Sequence, residues 1–170
     1  MGCRLYWVRR RLGGCSLPVP GDEVRLSRAG VRLLVSLVEG YEFYDAWPGG
    51  EGEFLEAMGE AGIRVVRIPT PDGYAPDLDE ACRVYPLISR ILESGGAVVA
   101  HCYGGIGRTG TFLAGYLVWS EGLDPEEAVR ELWRHGAGPQ SDDQYFFIHF
   151  VWRFCRGRGS PPGSLGINGG

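Results

Sequence analysis

A cysteine and an arginine beyond the middle of the chain, Cys102 and Arg108, flank five residues of which three are glycine. The apolar run Ala97–Ala100 precedes them, and a stretch with helical spacing follows them. Three glycines between them let the backbone fold tightly, so that successive N–H groups form a nest for an anion at the positive end of the helix. We therefore expect a phosphate-sized loop between a strand and a helix.

Cys102 and Arg108 are residue types that can carry out phosphoryl transfer. The guanidinium of Arg108 can hold two phosphate oxygens in a bidentate fork, which a lysine cannot reproduce. The same charge and the amide dipoles favour an anionic sulfur on Cys102, which makes it a nucleophile. The sulfur could attack phosphorus in line and leave a cysteinyl-phosphate for water to hydrolyse. Taken singly, the cysteine could instead be a small core residue beside an ordinary turn.

The motif His101-Cys102-x5-Arg108-Thr109 resembles the signature of the cysteine-based protein tyrosine phosphatases. The preceding strand and the following apolar helix agree with that family, and the resemblance covers roughly residues 5–154. It implies that His101 orients the loop and helps to keep Cys102 ionised, and that the Thr109 hydroxyl donates to the departing sulfur. The residues expected to bind the substrate phosphate are Tyr103, Gly104, Gly105, Ile106, Gly107 and Arg108.

A general acid should reach this loop from another segment, because the leaving oxygen needs a proton. Asp72 is the candidate, in a proline- and glycine-punctuated stretch that could be a mobile flap. Its Asp-Gly-x-x-Pro pattern resembles the general-acid loop of small dual-specificity phosphatases. Asp77 and Asp79 are alternatives, although they suit the cap and first turn of the next helix better.

Two glutamines, Gln140 and Gln144, lie in a segment that resembles the glutamine-containing loop of the family. Either could orient the hydrolytic water. The residues alone equally allow Ser141 to cap the following helix and Gln144 to complete a capping box. Both interpretations stay open at this point.

Short apolar runs alternate with helical periodicity, which predicts an α/β fold. We expect a central, mostly parallel sheet flanked by helices, as in the protein tyrosine phosphatases. Phe43 and Trp47 belong to an aromatic segment that could rim the pocket, but we expect both in the core. The predicted strands are Leu5–Val8, Val31–Val38, Ile63–Ile68 and Ala97–Ala100. The predicted helices are Asp22–Arg28, Glu51–Ala61, Asp77–Glu93, Thr109–Ser120, Pro125–His135 and Asp142–Phe154.

The length of 170 residues suits one catalytic domain, residues 1–156, followed by a tail at 157–170 whose composition predicts disorder. No apolar run is long enough to cross a bilayer and no secretory signal is evident, so we expect no membrane association. The five cysteines form no CxxC pair or Cys/His cluster. We therefore expect no disulfide framework, no metal, no cofactor and a cytoplasmic location.

The charge pattern narrows the substrate class. The net charge is −4, and the run of arginines at 9–11 is more typical of a solvated edge than of a polyanion site, so we expect no nucleic-acid partner. The short chain without lysine lacks the lysine-containing recognition loop of the larger phosphotyrosine-only enzymes. The resemblance therefore implies a monomeric dual-specificity phosphatase that acts on phosphotyrosine in proteins, with phosphoserine and phosphothreonine as further candidates. The alternatives are a phosphoinositide or RNA 5′-triphosphate phosphatase and a non-catalytic phosphoprotein-binding module.

Overall fold

The computed structural model describes residues 2–155, and a five-stranded sheet forms its centre. The strand order is β1-β2-β5-β3-β4. Strands β2, β5, β3 and β4 run parallel, whereas β1 pairs antiparallel with β2 at one edge. The predicted mostly parallel sheet is confirmed. The strands are β1 (Leu5–Arg9), β2 (Leu12–Cys15), β3 (Val31–Ser36), β4 (Arg64–Arg67) and β5 (Ala97–His101).

Helices cover both faces of the sheet, since all five residues of β5 are buried. The helices are α1 (Asp22–Arg28), α2 (Gly50–Glu60), α3 (Leu78–Glu93), α4 (Gly107–Glu121), α5 (Pro125–Trp133) and α6 (Asp142–Phe150). A 3₁₀ segment (Gly40–Asp45) follows β3, and a π-helical turn (Val151–Cys155) continues α6. None of the described helices combines the length and apolar character that a bilayer crossing requires.

Side-chain caps begin three of the helices at the points that the sequence indicates. The carboxylate of Asp77 accepts the Glu80 N–H at 2.9 Å, so Asp77 is a cap of α3. Asp124 caps α5 in the same way, with proline at the first helical position. Ser141 Oγ accepts the Gln144 N–H at 3.2 Å at the start of α6.

The 3₁₀ segment, strand β2 and the end of α6 differ from the prediction. Strand β2 was not expected, because its Gly13 and Gly14 have low strand propensity. Packing explains them: a Cβ on Gly14 would lie 2.4 Å from the hydroxyl oxygen of Tyr6, whose ring crosses the strand there. The predicted helix through Phe154 ends at Phe150 and continues as the π-helical turn. Phe43 and Trp47 are buried as expected, whereas the predicted tail lies outside the described residues.

A disulfide bond joins Cys82 on α3 to Cys155 in the π-helical turn, so the expectation of no disulfide was wrong. The two residues are 73 positions apart in the sequence, and their Cα atoms lie 6.2 Å apart. No local spacing could reveal this pair, because only the packing of the C-terminal turn against α3 brings the sulfurs together. Cys3, Cys15 and Cys102 are free and buried.

Replacing Cys155 by serine should lower the free energy of unfolding by about 2–4 kcal/mol, since the bond restricts a long loop in the unfolded chain. Urea unfolding of the parent and of Cys155→Ser, each with and without dithiothreitol, measures this change. The reductant should destabilise the parent and leave the variant unaffected. A parent whose stability is the same under both conditions would contradict the bond.

Candidate active site

Three segments meet at the carboxyl ends of neighbouring parallel strands, where ligand sites of α/β folds usually form. They are the 3₁₀ segment after β3, residues 69–76 after β4 (the acid loop) and residues 102–106 after β5 (the signature loop). Together with the start of α4 and the segment before α6, they enclose an open cleft of about 290 Å³. The cleft is lined by Glu42, Asp72, Cys102, Tyr103, Gly104, Ile106, Gly107 and Gln140.

Cys102 lies at the base of this cleft, directly after β5, and is only 3% exposed. The backbone N–H of Gly105 donates to its Sγ at 3.3 Å. Gly105 has a φ of +77°, and a Cβ there would lie 2.6 Å from the carbonyl carbon of Cys15. Glycine is therefore required for the tight turn that brings the backbone around the sulfur.

The guanidinium of Arg108 is held by two segments on one side and left free on the other. Its Nη1 donates to Glu42 Oε2 and to the Thr70 carbonyl, each at 2.8 Å. Its Nη2 donates to Glu42 Oε1 at 2.9 Å and lies 3.6 Å from Asp72 Oδ1. The buried Nε has no hydrogen-bond partner among residues 2–155. Nε and one Nη2 hydrogen thus remain to bind an anion in the expected bidentate fork.

Glu42 is the principal site residue that sequence reasoning missed. Burial disfavours its charge, but hydrogen bonds from Arg108 and from the Glu39 N–H lower its pKa below the ordinary value. Burial likewise disfavours the charge of Arg108, yet Glu42, Cys102 and Asp72 raise its pKa. The two groups therefore form a charged buried pair. The signal that could have indicated it was a carboxylate within an otherwise aromatic run, Tyr41 to Tyr44.

The structure brings Gln140, but not Gln144, to the cleft. The Gln140 side chain lies against Gly107, where a Cβ would come within 2.3 Å of its Oε1. Gln144 is buried, its Oε1 accepts the Gln140 N–H at 2.8 Å, and its Nε2 donates to the Tyr74 carbonyl at 3.1 Å. The amide of Gln144 therefore supports the surrounding loops.

Thr109 is also buried, and its hydroxyl has no partner within the described part of the chain.

Asp72 stands on the exposed side of the cleft, in an acid loop that contacts α6. Its side chain is 84% exposed and faces Arg108. The neighbouring backbone is held in place: Ser141 Oγ donates to the Gly73 carbonyl and Asp143 Oδ2 accepts the Ala75 N–H, both at 2.7 Å. The segment expected to be a mobile flap thus has fixed anchors beside its carboxylate.

A family model described as "Tc-R-P: Polymorphic toxin system, DSP-PTPase phosphatase" matches residues 15–122. The chain belongs to the DSP-PTPase phosphatases. The dual specificity protein phosphatase TpbA of Pseudomonas aeruginosa is 31% identical over 81% of the chain and 57% of its own length. Cyclin-dependent kinase inhibitor 3 of Sus scrofa is 31% identical over 56% of the chain and 46% of its own length. The chain thus spans about half the length of these two relatives.

The fold agrees with the family. A crystal structure of Tk-PTP in a G95A mutant form superposes with a TM-score of 0.76 at 25% identity, covering 88% of this DSP-PTPase and 94% of that chain. The predicted protein tyrosine phosphatase-like fold is therefore confirmed.

His101 of this DSP-PTPase is fully buried next to the rings of Phe43 and Phe54. Burial, together with the charges of Arg67 and Arg108, lowers its pKa to about 4. The ring is therefore neutral at pH 7, and its Nδ1–H donates to the Cys102 carbonyl at 3.0 Å. This contact suits the expected orienting role. A neutral His101 brings no positive charge to the signature loop, and its expected help to the ionisation of Cys102 stays a prediction.

The stability of this DSP-PTPase should fall as the pH decreases from about 6.5 towards about 4, because His101 binds a proton in the unfolded chain before it does so in the folded one. Its contribution is fully present above pH 6.5, and its loss approaches the order of 3 kcal/mol at pH 4. Urea unfolding at pH 7.5 and pH 5 measures the difference.

The His101→Asn variant should show a weaker pH dependence than the parent, because asparagine carries no group that titrates in this range. An identical change with pH in the parent and in His101→Asn would contradict the proposed source of the acid sensitivity.

Proposed function

We propose that this chain is a protein phosphatase that hydrolyses phosphotyrosine through a cysteinyl-phosphate, with phosphoserine and phosphothreonine as further candidate substrates. One observation carries the proposal: Cys102 and Asp72 line one cleft, and the buried Arg108 guanidinium, whose Nε has no partner among residues 2–155, lies 3.6 Å from the Asp72 carboxylate. Family membership and the dual-specificity relative TpbA support it. The proposed partners are proteins that bear a phosphorylated side chain. The chain is proposed to act as a monomer.

In the first step, the Cys102 thiolate attacks phosphorus, so that an S–P bond forms while the P–O bond to the tyrosyl oxygen breaks. The free edge of Arg108 and the inward N–H groups of the signature loop hold the equatorial oxygens throughout. Asp72 gives its proton to the leaving oxygen. The peptide then leaves with a neutral hydroxyl.

In the second step, water attacks phosphorus and the S–P bond breaks, which restores the thiolate and releases phosphate. Asp72, now ionised, takes the proton of the water. Gln140 orients that water from its place against Gly107, and the Thr109 hydroxyl donates to the departing sulfur. Gln144 supports this arrangement through its bond to the Gln140 N–H.

The other substrate classes find less support. A polyanionic substrate such as a phosphoinositide or an RNA 5′-triphosphate would require several cations, but no arginine or lysine from positions 2 to 155 lines the cleft, and Arg108 is the only basic residue of the signature loop and α4. A binding module would not need the acid, yet Asp72 is present beside Arg108. Phosphoprotein hydrolysis fits the residues best.

The cytoplasmic location stays a prediction. The Cys82–Cys155 bond removes the argument that rested on the cysteines, because disulfide bonds persist mainly in oxidising compartments.

Cys102→Ser should reduce turnover of an aryl phosphate by at least about 10³-fold, because the serine hydroxyl stays protonated at neutral pH and is a much weaker nucleophile than a thiolate. The assay is run in excess EDTA and compares the parent, Cys102→Ser and Cys3→Ser. Cys3 is a free buried cysteine outside the cleft, so Cys3→Ser should keep the parent's turnover once its folded fraction is normalised.

Activity that demands added metal, or that survives in Cys102→Ser, would refute the cysteine mechanism. The same assay extended to phosphotyrosine, phosphoserine and phosphothreonine peptides, an inositol lipid and triphosphorylated RNA identifies the substrate class. Preference for either of the last two would replace the proposed class while leaving the cysteine chemistry intact.

Asp72→Asn should lower kcat by about 10²- to 10⁴-fold on a phosphate ester with a poor leaving group and much less on an activated aryl ester, because only the former needs a proton. The basic limb of the kcat pH profile should also disappear. Asp79→Asn is the matched control from the adjacent helix and should retain the parent's profile. A basic limb that persists in Asp72→Asn and vanishes in Asp79→Asn would transfer the acid role to Asp79.

A further inference from the structure

The signature loop is anchored from outside by the first strand of the sheet. Two successive carbonyls of the loop accept hydrogen bonds from β1 or the residue just before it. The Gly104 carbonyl accepts from Arg4 Nη2 at 3.1 Å, and the Gly105 carbonyl accepts from the Tyr6 hydroxyl at 2.8 Å. These contacts bridge 100 and 99 residues of sequence, so the loop's own composition does not indicate them.

A third carbonyl of the loop is held in the same manner. The Leu17 N–H, just beyond β2, donates to the Tyr103 carbonyl at 2.9 Å. The hairpin of β1 and β2, with the residues that flank it, thus supplies donors to three consecutive peptide groups.

Anchoring the carbonyls fixes the direction of the amides, because C=O and N–H point in opposite directions across a planar trans peptide. The peptide whose carbonyl belongs to Gly104 carries the Gly105 N–H, and that N–H donates to Cys102 Sγ. By the same rule, the Tyr6 bond to Gly105 turns the Ile106 N–H away from Tyr6 and towards the cleft that Ile106 lines.

A glycine on β2 leaves the space through which Tyr6 reaches the signature loop. Gly14 on β2 has no side chain, and a Cβ there would lie 2.5 Å from the ring carbon that carries the Tyr6 hydroxyl. Burial raises the pKa of Tyr6, so its hydroxyl stays protonated and remains a donor at neutral pH.

We propose that Tyr6 is a positioning residue for phosphate binding, which holds the Ile106 N–H towards the substrate through the carbonyl of Gly105. Tyr6 does not touch the phosphate itself. The inference rests on the proposed phosphatase function. It implies that the hairpin of β1 and β2 increases the affinity of the site for oxyanions.

The test uses Tyr6→Phe, which removes one hydroxyl and retains the ring. The probe is tungstate, measured as a competitive inhibitor of aryl phosphate hydrolysis by the full chain. Losing one fixed amide donor should raise the tungstate inhibition constant by about 3- to 10-fold and raise KM in the same direction. The matched control is Tyr85→Phe, because Tyr85 is also a buried tyrosine that donates to a backbone carbonyl, that of Phe112, away from the cleft.

Thermal unfolding of each variant confirms that it is folded under the assay conditions. A weaker tungstate affinity in Tyr6→Phe alone supports the proposal. An unchanged inhibition constant in Tyr6→Phe, or an equal rise in Tyr85→Phe, overturns it. A parent that hydrolyses the aryl phosphate but gives equal constants in all three proteins refutes only the role of Tyr6. A parent that neither turns over nor binds tungstate refutes the proposed function itself.

Discussion

A buried guanidinium needs hydrogen-bond partners, and this constraint determines which segments pack around Arg108. The side chain is 1% exposed, where an unpaired charge is strongly unfavourable. Glu42 supplies the carboxylate and Thr70 supplies a carbonyl, so segments after two different strands are fixed against the signature loop. Removing one partner of such a pair typically costs about 3–5 kcal/mol. The same pairing occupies one edge of the arginine and leaves the other to the substrate.

Close backbone approach completes the base of the cleft. A Cβ on Gly110 would lie 2.2 Å from the nitrogen of Gly138, whose N–H donates to the Ile106 carbonyl at 3.1 Å. The first turn of α4 can therefore meet the segment that carries Gln140. With Tyr6 and Arg4 on the opposite side, the loop is surrounded by donors that occupy its outward carbonyls. Its amides are thereby left for the ligand.

The sequence could predict those parts of the site whose residues are close together along the chain. Cys102, Arg108 and the intervening glycines fall within the signature loop and the first turn of α4, and the apolar pattern located β1, β3, β4, β5 and the six α-helices. Glu42 was missed because its partner is 66 residues away and no local pattern links the two. The Cys82–Cys155 bond was missed for the same reason. Strand β2 was missed because glycine has a low strand propensity, and the reason for glycine at position 14 is the space taken by the Tyr6 ring.

The contacts between the acid loop and the start of α6 join parts that serve different halves of the proposed reaction. Ser141, Asp143 and Gln144 bind the backbone of Gly73, Tyr74 and Ala75. The proposed proton donor, Asp72, precedes one side of this junction, and the proposed water-orienting amide, Gln140, precedes the other. The two groups thus lie on segments that are joined by hydrogen bonds. Displacing either segment would break its hydrogen bonds to the other, so the positions of Asp72 and Gln140 depend on the same set of contacts.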